Sequence, residues 1–231
     1  MESTLDDAPT VNGVPLAGPF IGDIQATHRF ISPRMFRSDF FEFFSKVHPG
    51  VPALMYLPLV AFVLWHGARV SSPGVLGGTF VGGFLIWTLT EYLLHRFYFH
   101  IDPRTPVRKW LYFYSHGIHH QYPDDFYRLV MPPLLSAIPA GLFWALVRAT
   151  LPASVVPGLF AGFACGYVYY DYVHFATHHV KPPRAAWLAP IATVMKEQRR
   201  RHMRHHFQDH DRGFGVSMPL WDHVFGTHEG P

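Results

Sequence analysis

A single cysteine, Cys165, stands in the 231 residues of the chain. That excludes an internal disulfide framework and any cysteine-based zinc finger. Charge is nearly as scarce: Asp, Glu, Lys and Arg together make 15 % of the residues, against about 25 % in soluble domains. Carboxylates are so few that 17 histidines outnumber the 16 Asp and Glu residues. What is not scarce argues against disorder, because 49 % of the residues are hydrophobic and 16 % aromatic. Nineteen glycines and 21 prolines without a repeat period exclude collagen. The length fits one domain with a substantial core.

The missing charge is missing from particular places. Uncharged runs of 22, 21, 19 and 22 residues separate Lys46 from Arg69, Arg69 from Glu91, Arg128 from Arg148 and Arg148 from Asp171. At about 1.5 Å per helical residue, each run can cross a bilayer core of about 30 Å. The segments are apolar on all sides and carry Pro and Gly, which membrane helices tolerate. Four transmembrane helices in two hairpins are therefore expected, with spans at about 51–68, 74–94, 131–148 and 153–173, in place of four buried helices of a soluble all-α protein. In that topology 17 of the 19 Lys and Arg lie on the side holding both termini and the loop between the hairpins, which the positive-inside rule assigns to the cytosol. The expectation is an all-α integral membrane protein: a cytosolic N-terminal segment over 1–50, then a membrane domain over 51–231 whose spans are capped by a cytosolic helical domain from 95–130 and 174–231. Such a protein belongs in the cell membrane of a bacterium or the endoplasmic reticulum of a eukaryote. The acidic start, MESTLDDAPT, does not read as a signal peptide. FFEFFSKVHPGVP, ahead of the first span, reads as an interfacial helix or equally as an amphipathic lead-in with no function of its own.

Eleven of the histidines form four groups on the inferred cytosolic side: His95 and His100; His116, His119 and His120; His174, His178 and His179; His202, His205 and His206. On a helix, residues at i, i+3 and i+4 share a face, so each H-x-x-H-H group is expected to aim three imidazoles at one point, and His174 with His178 two more. His95 and His100 stand about 140° apart on an ideal helix, so the second span must fray or bend near 96–99 for His100 to turn back. His179, five residues after His174, points elsewhere and is expected to support the ligands from behind. His28, His48, His66, His210, His223 and His228 read as ordinary. His48-Pro49-Gly50 begins like a haem-binding motif, but Val51 and the first span follow at once, and a haem site is rejected. Ten imidazoles suit two metal ions with about five nitrogens each, of a kind that favours nitrogen over the oxygen preferred by calcium and magnesium. Glu91 and Asp171 stand about one turn before His95 and His174. A carboxylate at a membrane helix end is costly unless it is needed, and taking the free imidazole N–H is such a need. Arg199, Arg200, Arg201 and Arg204 interleave with the last histidine group and read as an anchor for anionic lipid, with a phospholipid or an acidic redox partner as the alternative.

With EYLLHRFYFH, SHGIHHQYPDDFYRLVMPP, YVYYDYVHF, RHMRHHF and GFGVSMPLWD, the chain resembles the fatty acid 2-hydroxylases within the larger fatty acid hydroxylase and sterol desaturase superfamily. The resemblance covers about residues 50–227. It implies metal ligands at His95, His100, His116, His119, His120, His174, His178, His202, His205 and His206, holding two iron ions. It implies O₂-dependent hydroxylation at the carbon beside the carboxyl of a long-chain fatty acid or ceramide acyl chain. The fused haem domain of eukaryotic members is not seen in this sequence, so electrons are expected from a separate cytochrome- or ferredoxin-type donor; no nucleic acid partner is expected. Zinc, which cannot change oxidation state, would be a stand-in for iron in the same pocket. The acyl chain is expected in a groove rising from the bilayer, its head group met by Tyr122, Asp125 and Arg128. Hydroxylation of sterols, carotenoids or sphingoid bases, or desaturation, stays open, since the same core serves them. Two other classes make different demands: a metal transporter needs ligands near mid-span, where this sequence is apolar, and a zinc lipid hydrolase needs a general base and no O₂.

Overall fold

The computed structural model describes residues 9–18 and 32–229. They are mostly helical. The first element departs from the all-α expectation: strands β1 (Thr10–Val11) and β2 (Val14–Pro15) pair antiparallel around Asn12-Gly13. Both turn residues have positive φ, 54° and 77°. Asn-Gly is the pair that adopts such a two-residue hairpin turn at least cost. Where an interfacial helix was expected before the first span stands a short helix, α1 (Asp39–Ser45), which exposes Phe40, Phe41, Phe43 and Phe44 and buries Glu42.

Four long helices follow: α2 (Val51–Val70), α3 (Pro73–Leu93), α6 (Pro133–Thr150) and α7 (Val156–His179). Prolines in the first turn of each cost no hydrogen bond, because those amides lack an intrahelical acceptor anyway. The side chain of Ser72 caps α3 by accepting from the amide of Val75. Three stretches are long and apolar enough to cross a membrane: Val51–Val70, Pro73–Phe99 and Pro133–Thr150. The fourth expected span, α7, has the length but is less apolar, with Tyr167, Tyr169, Tyr170, Asp171 and Tyr172 in its second half. It is buried along most of its course among the other three.

Glycine decides which helices meet closely. A β-carbon on Gly162 would collide with the carbonyl of Phe80, one on Gly83 with the carbonyl of Leu159, and one on Gly158 with the side chain of Thr79. Helices α3 and α7 therefore touch backbone to backbone, as small residues permit in membrane helices. Around this pair lies a core of Tyr56, Val60 and Val63 from α2, Trp87 from α3, and Phe160, Phe163 and Tyr167 from α7. Helix α6 joins by Phe143 stacking on Phe163 at 4.0 Å and by Trp144 against Phe160. Its remaining face is bare: Leu134, Leu135, Ile138, Leu142 and Leu146 are exposed.

The rest sits at the end of the bundle where α3 finishes and α7 finishes: α4 (Pro106–Tyr112), α5 (Ile118–Gln121), α8 (Ala189–Phe207) and α9 (Leu220–Phe225).

Candidate metal centre

Each histidine group reaches the centre by a different local device. Beyond α3 the helix widens over Leu94–Phe99 into a π turn, in which the amide of His100 bonds to the carbonyl of His95 at 3.0 Å. Bonding from i to i+5 puts an extra residue into the turn, so residues five apart stack on one side. The bend expected near 96–99 is this π turn, and it brings the two rings to 4.9 Å. A second π turn, Phe113–Gly117, precedes α5 and carries His116. Gly117 is required there, because a β-carbon would lie 2.7 Å from the Tyr112 ring.

The ten imidazoles gather into two groups of five. One holds His95, His100, His116, His120 and His205, the other His119, His174, His178, His202 and His206, and within each group the potential donor atoms lie within 4.8 Å of one another. This corrects the expectation that each H-x-x-H-H group aims at one point. At about 100° per residue, the i+3 and i+4 side chains fall on opposite flanks of the first. The motif can therefore straddle two centres. His116 and His120 serve the first group while His119 serves the second, and His202 and His206 serve the second while His205 serves the first. The groups adjoin where His120 stacks on His206 at 4.2 Å.

The nitrogens fit cations in both groups. In the second, Nε2 of His119 lies 2.9 Å from Nε2 of His174 and 3.0 Å from Nε2 of His206. Nε2 of His202 likewise faces His178 at 2.9 Å and His206 at 3.0 Å. A ring nitrogen carries either one hydrogen or one lone pair, so it cannot satisfy two such neighbours at once. In the first group, Nε2 of His95 faces Nε2 of His116 at 3.1 Å, and Nε2 of His205 faces Nε2 of His100 at 2.9 Å. Their outer nitrogens settle the tautomer: Nδ1 of His95 meets the carbonyl of Phe214 at 2.6 Å and Nδ1 of His205 the carbonyl of Arg212 at 2.7 Å. A carbonyl only accepts, so each Nδ1 donates and each Nε2 presents its lone pair inward. Both nitrogens of His120 are buried without a hydrogen-bond partner. Lone pairs converging in this way suit transition metal ions. Burial, reinforced by neighbouring imidazoles, holds His116, His119, His120, His202 and His206 well below the usual imidazole pKa. They are neutral at physiological pH, as metal ligands must be.

The supporting residues act by other routes than the sequence suggests. Glu91 is buried and spends both oxygens on Ser217, accepting from its amide at 2.8 Å and from its hydroxyl. Asp171 is buried and accepts from the amide of Met131 at 3.5 Å. The imidazole N–H groups of His95 and His205 go to backbone carbonyls instead. His179 lies outside both groups, against Phe126 and Phe175. Arg128 bonds Asp125 at 2.6 Å and Glu42 of α1 at 2.7 Å, in a buried cluster that ties the N-terminal segment to the loop after α5. The Tyr122 hydroxyl is buried without a hydrogen-bond partner, and burial pushes its pKa up to about 12. Of the histidines read as ordinary, His210 is exposed yet its ring lies 5.3 Å from that of His120; His48 accepts from the amide of Gly50. His28 lies outside the described residues.

Sequence reasoning missed the turn Arg212–Gly215 and Asp222, whose carboxylate accepts from the amides of Phe214 at 2.9 Å and Gly215 at 2.8 Å. A signal was present in Gly213-Phe214-Gly215. Paired glycines mark close backbone approach, and here Gly213 has φ 72° while a β-carbon on Gly215 would collide with the carbonyl of Met218.

The chain is similar to known proteins. The chain is 38 % identical over 197 residues to the dihydroceramide fatty acyl 2-hydroxylase FAH1 of Arabidopsis thaliana, a match covering 84 % of this chain and 79 % of the relative. To the fatty acid 2-hydroxylase of Rattus norvegicus it is 37 % identical, covering 84 % of this chain and 56 % of the relative. The solved structure of full-length scs7p, in which only the hydroxylase domain is visible, superposes with a TM-score of 0.76 at 38 % identity, covering 84 % of this chain and 71 % of that one. The family model for fatty acid hydroxylases matches residues 80–227, which hold both five-histidine groups and the turn beside them, and the chain belongs to that family.

Proposed function

We propose that the protein is a membrane-bound, O₂-dependent hydroxylase that places a hydroxyl on C2 of a long-chain fatty acid or of a ceramide acyl chain. The carrying observation is the pair of buried five-imidazole groups at the end of an apolar helix bundle, in a chain whose relatives are named for 2-hydroxylation of fatty acyl groups. His95, His100, His116, His120 and His205 hold one iron, and His119, His174, His178, His202 and His206 the other. In net terms, one O₂, two external electrons and two protons convert the C2–H bond to C–OH and release one water. The two irons, when bound, supply the electron transfer that activates O₂, chemistry that no side chain performs. The protein's part is to hold ten neutral nitrogens in place, to keep water out by burial, and to seat the acyl chain.

In this reading α2, α3, α6 and α7 form four spans in two hairpins, and the histidine-bearing end forms a cytosolic cap with both termini on its side. The exposed apolar faces of α2 and α6 and the distribution of Lys and Arg support that orientation. A separate cytochrome- or ferredoxin-type protein delivers the electrons. Among the residues assigned to the lipid head group, Tyr122 has a free hydroxyl to offer, while Asp125 and Arg128 fix the segment that carries it.

The test is lipid analysis of cells with and without the protein, together with metal analysis of protein purified without chelator. A rise in 2-hydroxy acyl chains and two irons per chain are expected. An unchanged acyl profile with altered sterols or carotenoids overturns the substrate assignment, and product formed without O₂ overturns the reaction class.

A further inference from the structure

The two five-histidine groups are supported unequally. In the first, Nδ1 of His95 and Nδ1 of His205 each donate to a backbone carbonyl, from Phe214 and Arg212. In the second, Nδ1 of His202 and Nδ1 of His206 are buried with no hydrogen-bond partner, as in the first is Nδ1 of His120 alone. The difference arises in one turn of chain. Between Arg212 and Gly215 the carbonyls of Arg212 and Phe214 point at the histidines, while the amides of Phe214 and Gly215 point the other way, onto the carboxylate of Asp222. The positive φ of Gly213, 72°, permits this reversal.

Asp222 is built in from all sides. It is 1 % exposed. Its Oδ1 also accepts from the hydroxyl of Thr227 at 2.8 Å, and the carbonyl of Thr227 takes the amide of Gly213 at 3.0 Å. The Thr227 hydroxyl in turn meets that of Tyr92, three residues before His95. Two residues further along, Ser217 is held by Glu91. Two buried carboxylates from separate helices thus fix one short turn, and the side of that turn facing the centre carries the two carbonyls.

We propose that Asp222 is a positioning residue for the first metal position. Acting through the carbonyls of Phe214 and Arg212, it fixes the tautomer and ring orientation of His95 and His205 and makes that position bind metal more tightly than the second. Partners that orient a ligand imidazole from behind are worth about 10- to 100-fold in metal affinity. By accepting from the amide of Gly215, Asp222 also strengthens the polarity of the peptide unit that carries the Phe214 carbonyl, while the unit that carries the Arg212 carbonyl has its Gly213 amide held by Thr227, itself bonded to Asp222. Asp222 touches no metal, substrate or reacting atom.

The experiment reads metal release rather than turnover. Full-length protein loaded with Co²⁺ is challenged with a chelator, and release is followed by the visible spectrum. Wild-type protein is expected to release its two ions in two phases of equal amplitude. D222N keeps the side-chain volume but turns one acceptor into a donor facing an amide. It is expected to speed the slow phase about 10- to 100-fold and leave the fast phase unchanged. D211N, at an exposed site in the same turn, removes a neighbouring charge without touching the clamp and is expected to behave as wild type. A single release phase in the wild-type protein overturns the proposal even if no variant folds. Equal acceleration of both phases with a lowered melting temperature assigns Asp222 a purely structural role, and an unchanged slow phase in D222N removes any role. Because the readout is metal release, it stands or falls independently of which carbon is hydroxylated.

Discussion

Helices α6 and α7 are both long, rich in apolar residues and interrupted by glycine, yet they are used in opposite ways. Helix α7 is buried along most of its length and ends on His174 and His178. Helix α6 buries Ser136 and Val147, exposes Leu134, Leu135, Ile138, Leu142 and Leu146, and carries no histidine. The glycines show the reason. Gly158, Gly162 and Gly166 of α7 sit directly against α3, whereas a β-carbon on Gly141 of α6 would meet nothing within 4 Å. Close backbone contact is spent on the pair that aims ligands, and the helix that aims none is left to its surroundings.

Adding one carbon to the tight pair is the most damaging way to break the comparison. In G162A the new methyl collides with the carbonyl of Phe80, a backbone atom that moves only if α3 moves. Overpacking of cores costs about 1–3 kcal/mol and more where backbone must shift. Here it also displaces His95 from His174 and His178. Metal content is expected to fall at both positions, measured by elemental analysis of purified protein, while G141A retains both ions. Equal metal content in the two variants would show that the contact between α3 and α7 does not position the centre.

Acid attacks the same end of the bundle by another route. His116, His119, His120, His202 and His206 titrate well below their usual range because burial disfavours the imidazolium. The unfolded chain takes up protons as pH falls through about 6.5. The folded site does not, so between that pH and the depressed folded values the unfolded state holds more protons. The contribution of these imidazoles to stability is therefore flat above about pH 6.5 and falls progressively below it. Metal release runs in the same direction, since protons compete for the same lone pairs. Dialysis from pH 7.5 downward is expected to strip the metals below pH 6.5 rather than near it, before the helical circular dichroism of the bundle declines. Loss of helix ahead of metal would mean that the bundle depends on protons and the site does not.

The loop that leads into α6 is held by charge as well as by the packing of Leu129 and Val130. In R128M, Asp125 stays buried without its cation and Glu42 keeps only Lys46, at 3.4 Å. Breaking a buried ion cluster in this way costs about 3–5 kcal/mol. Faster amide exchange is expected over α1 and residues 122–132, with α3 and α7 unchanged. Spread of the effect into α7 would mean that α6 and its loop brace the centre after all.

How much of this was legible in the sequence follows from the range of each interaction. The uncharged runs gave the helices nearly to their ends, because burial in apolar surroundings acts on whole segments. The ten histidines were legible as a set because their spacings are helical. Their division between two groups was not, since it depends on which flank of each helix meets which neighbour. His95 and His100 could be seen to need a bend, although the π turn itself rests on i to i+5 hydrogen bonds that leave no signature in residue type. Glu91 was visible as a costly carboxylate, but its partner Ser217 stands 126 positions away. Asp222 shows no sign of its task within GFGVSMPLWD, because it works through peptide groups, which every residue possesses. The Asn12-Gly13 hairpin signal is short-range and legible, but weak beside the stronger apolar runs.

The smallest expected effect concerns the loose partner. Leu142 of α6 is 68 % exposed. If that face meets lipid tails, L142A exchanges one apolar surface for another, and stability in bilayers is expected to change by no more than about 0.5 kcal/mol. Alone, such a result is equally what an exposed residue in water gives. Pairing it with L142R separates the two surroundings. Arginine at the centre of a membrane helix costs about 2.5–3.5 kcal/mol in insertion, whereas arginine on a watery surface costs nearly nothing. A neutral alanine with a costly arginine, read from the fraction of protein inserted, identifies the exposed face of α6 as lipid-facing. Two neutral variants would place α6 outside the bilayer and reduce its contrast with α7 to a difference in burial.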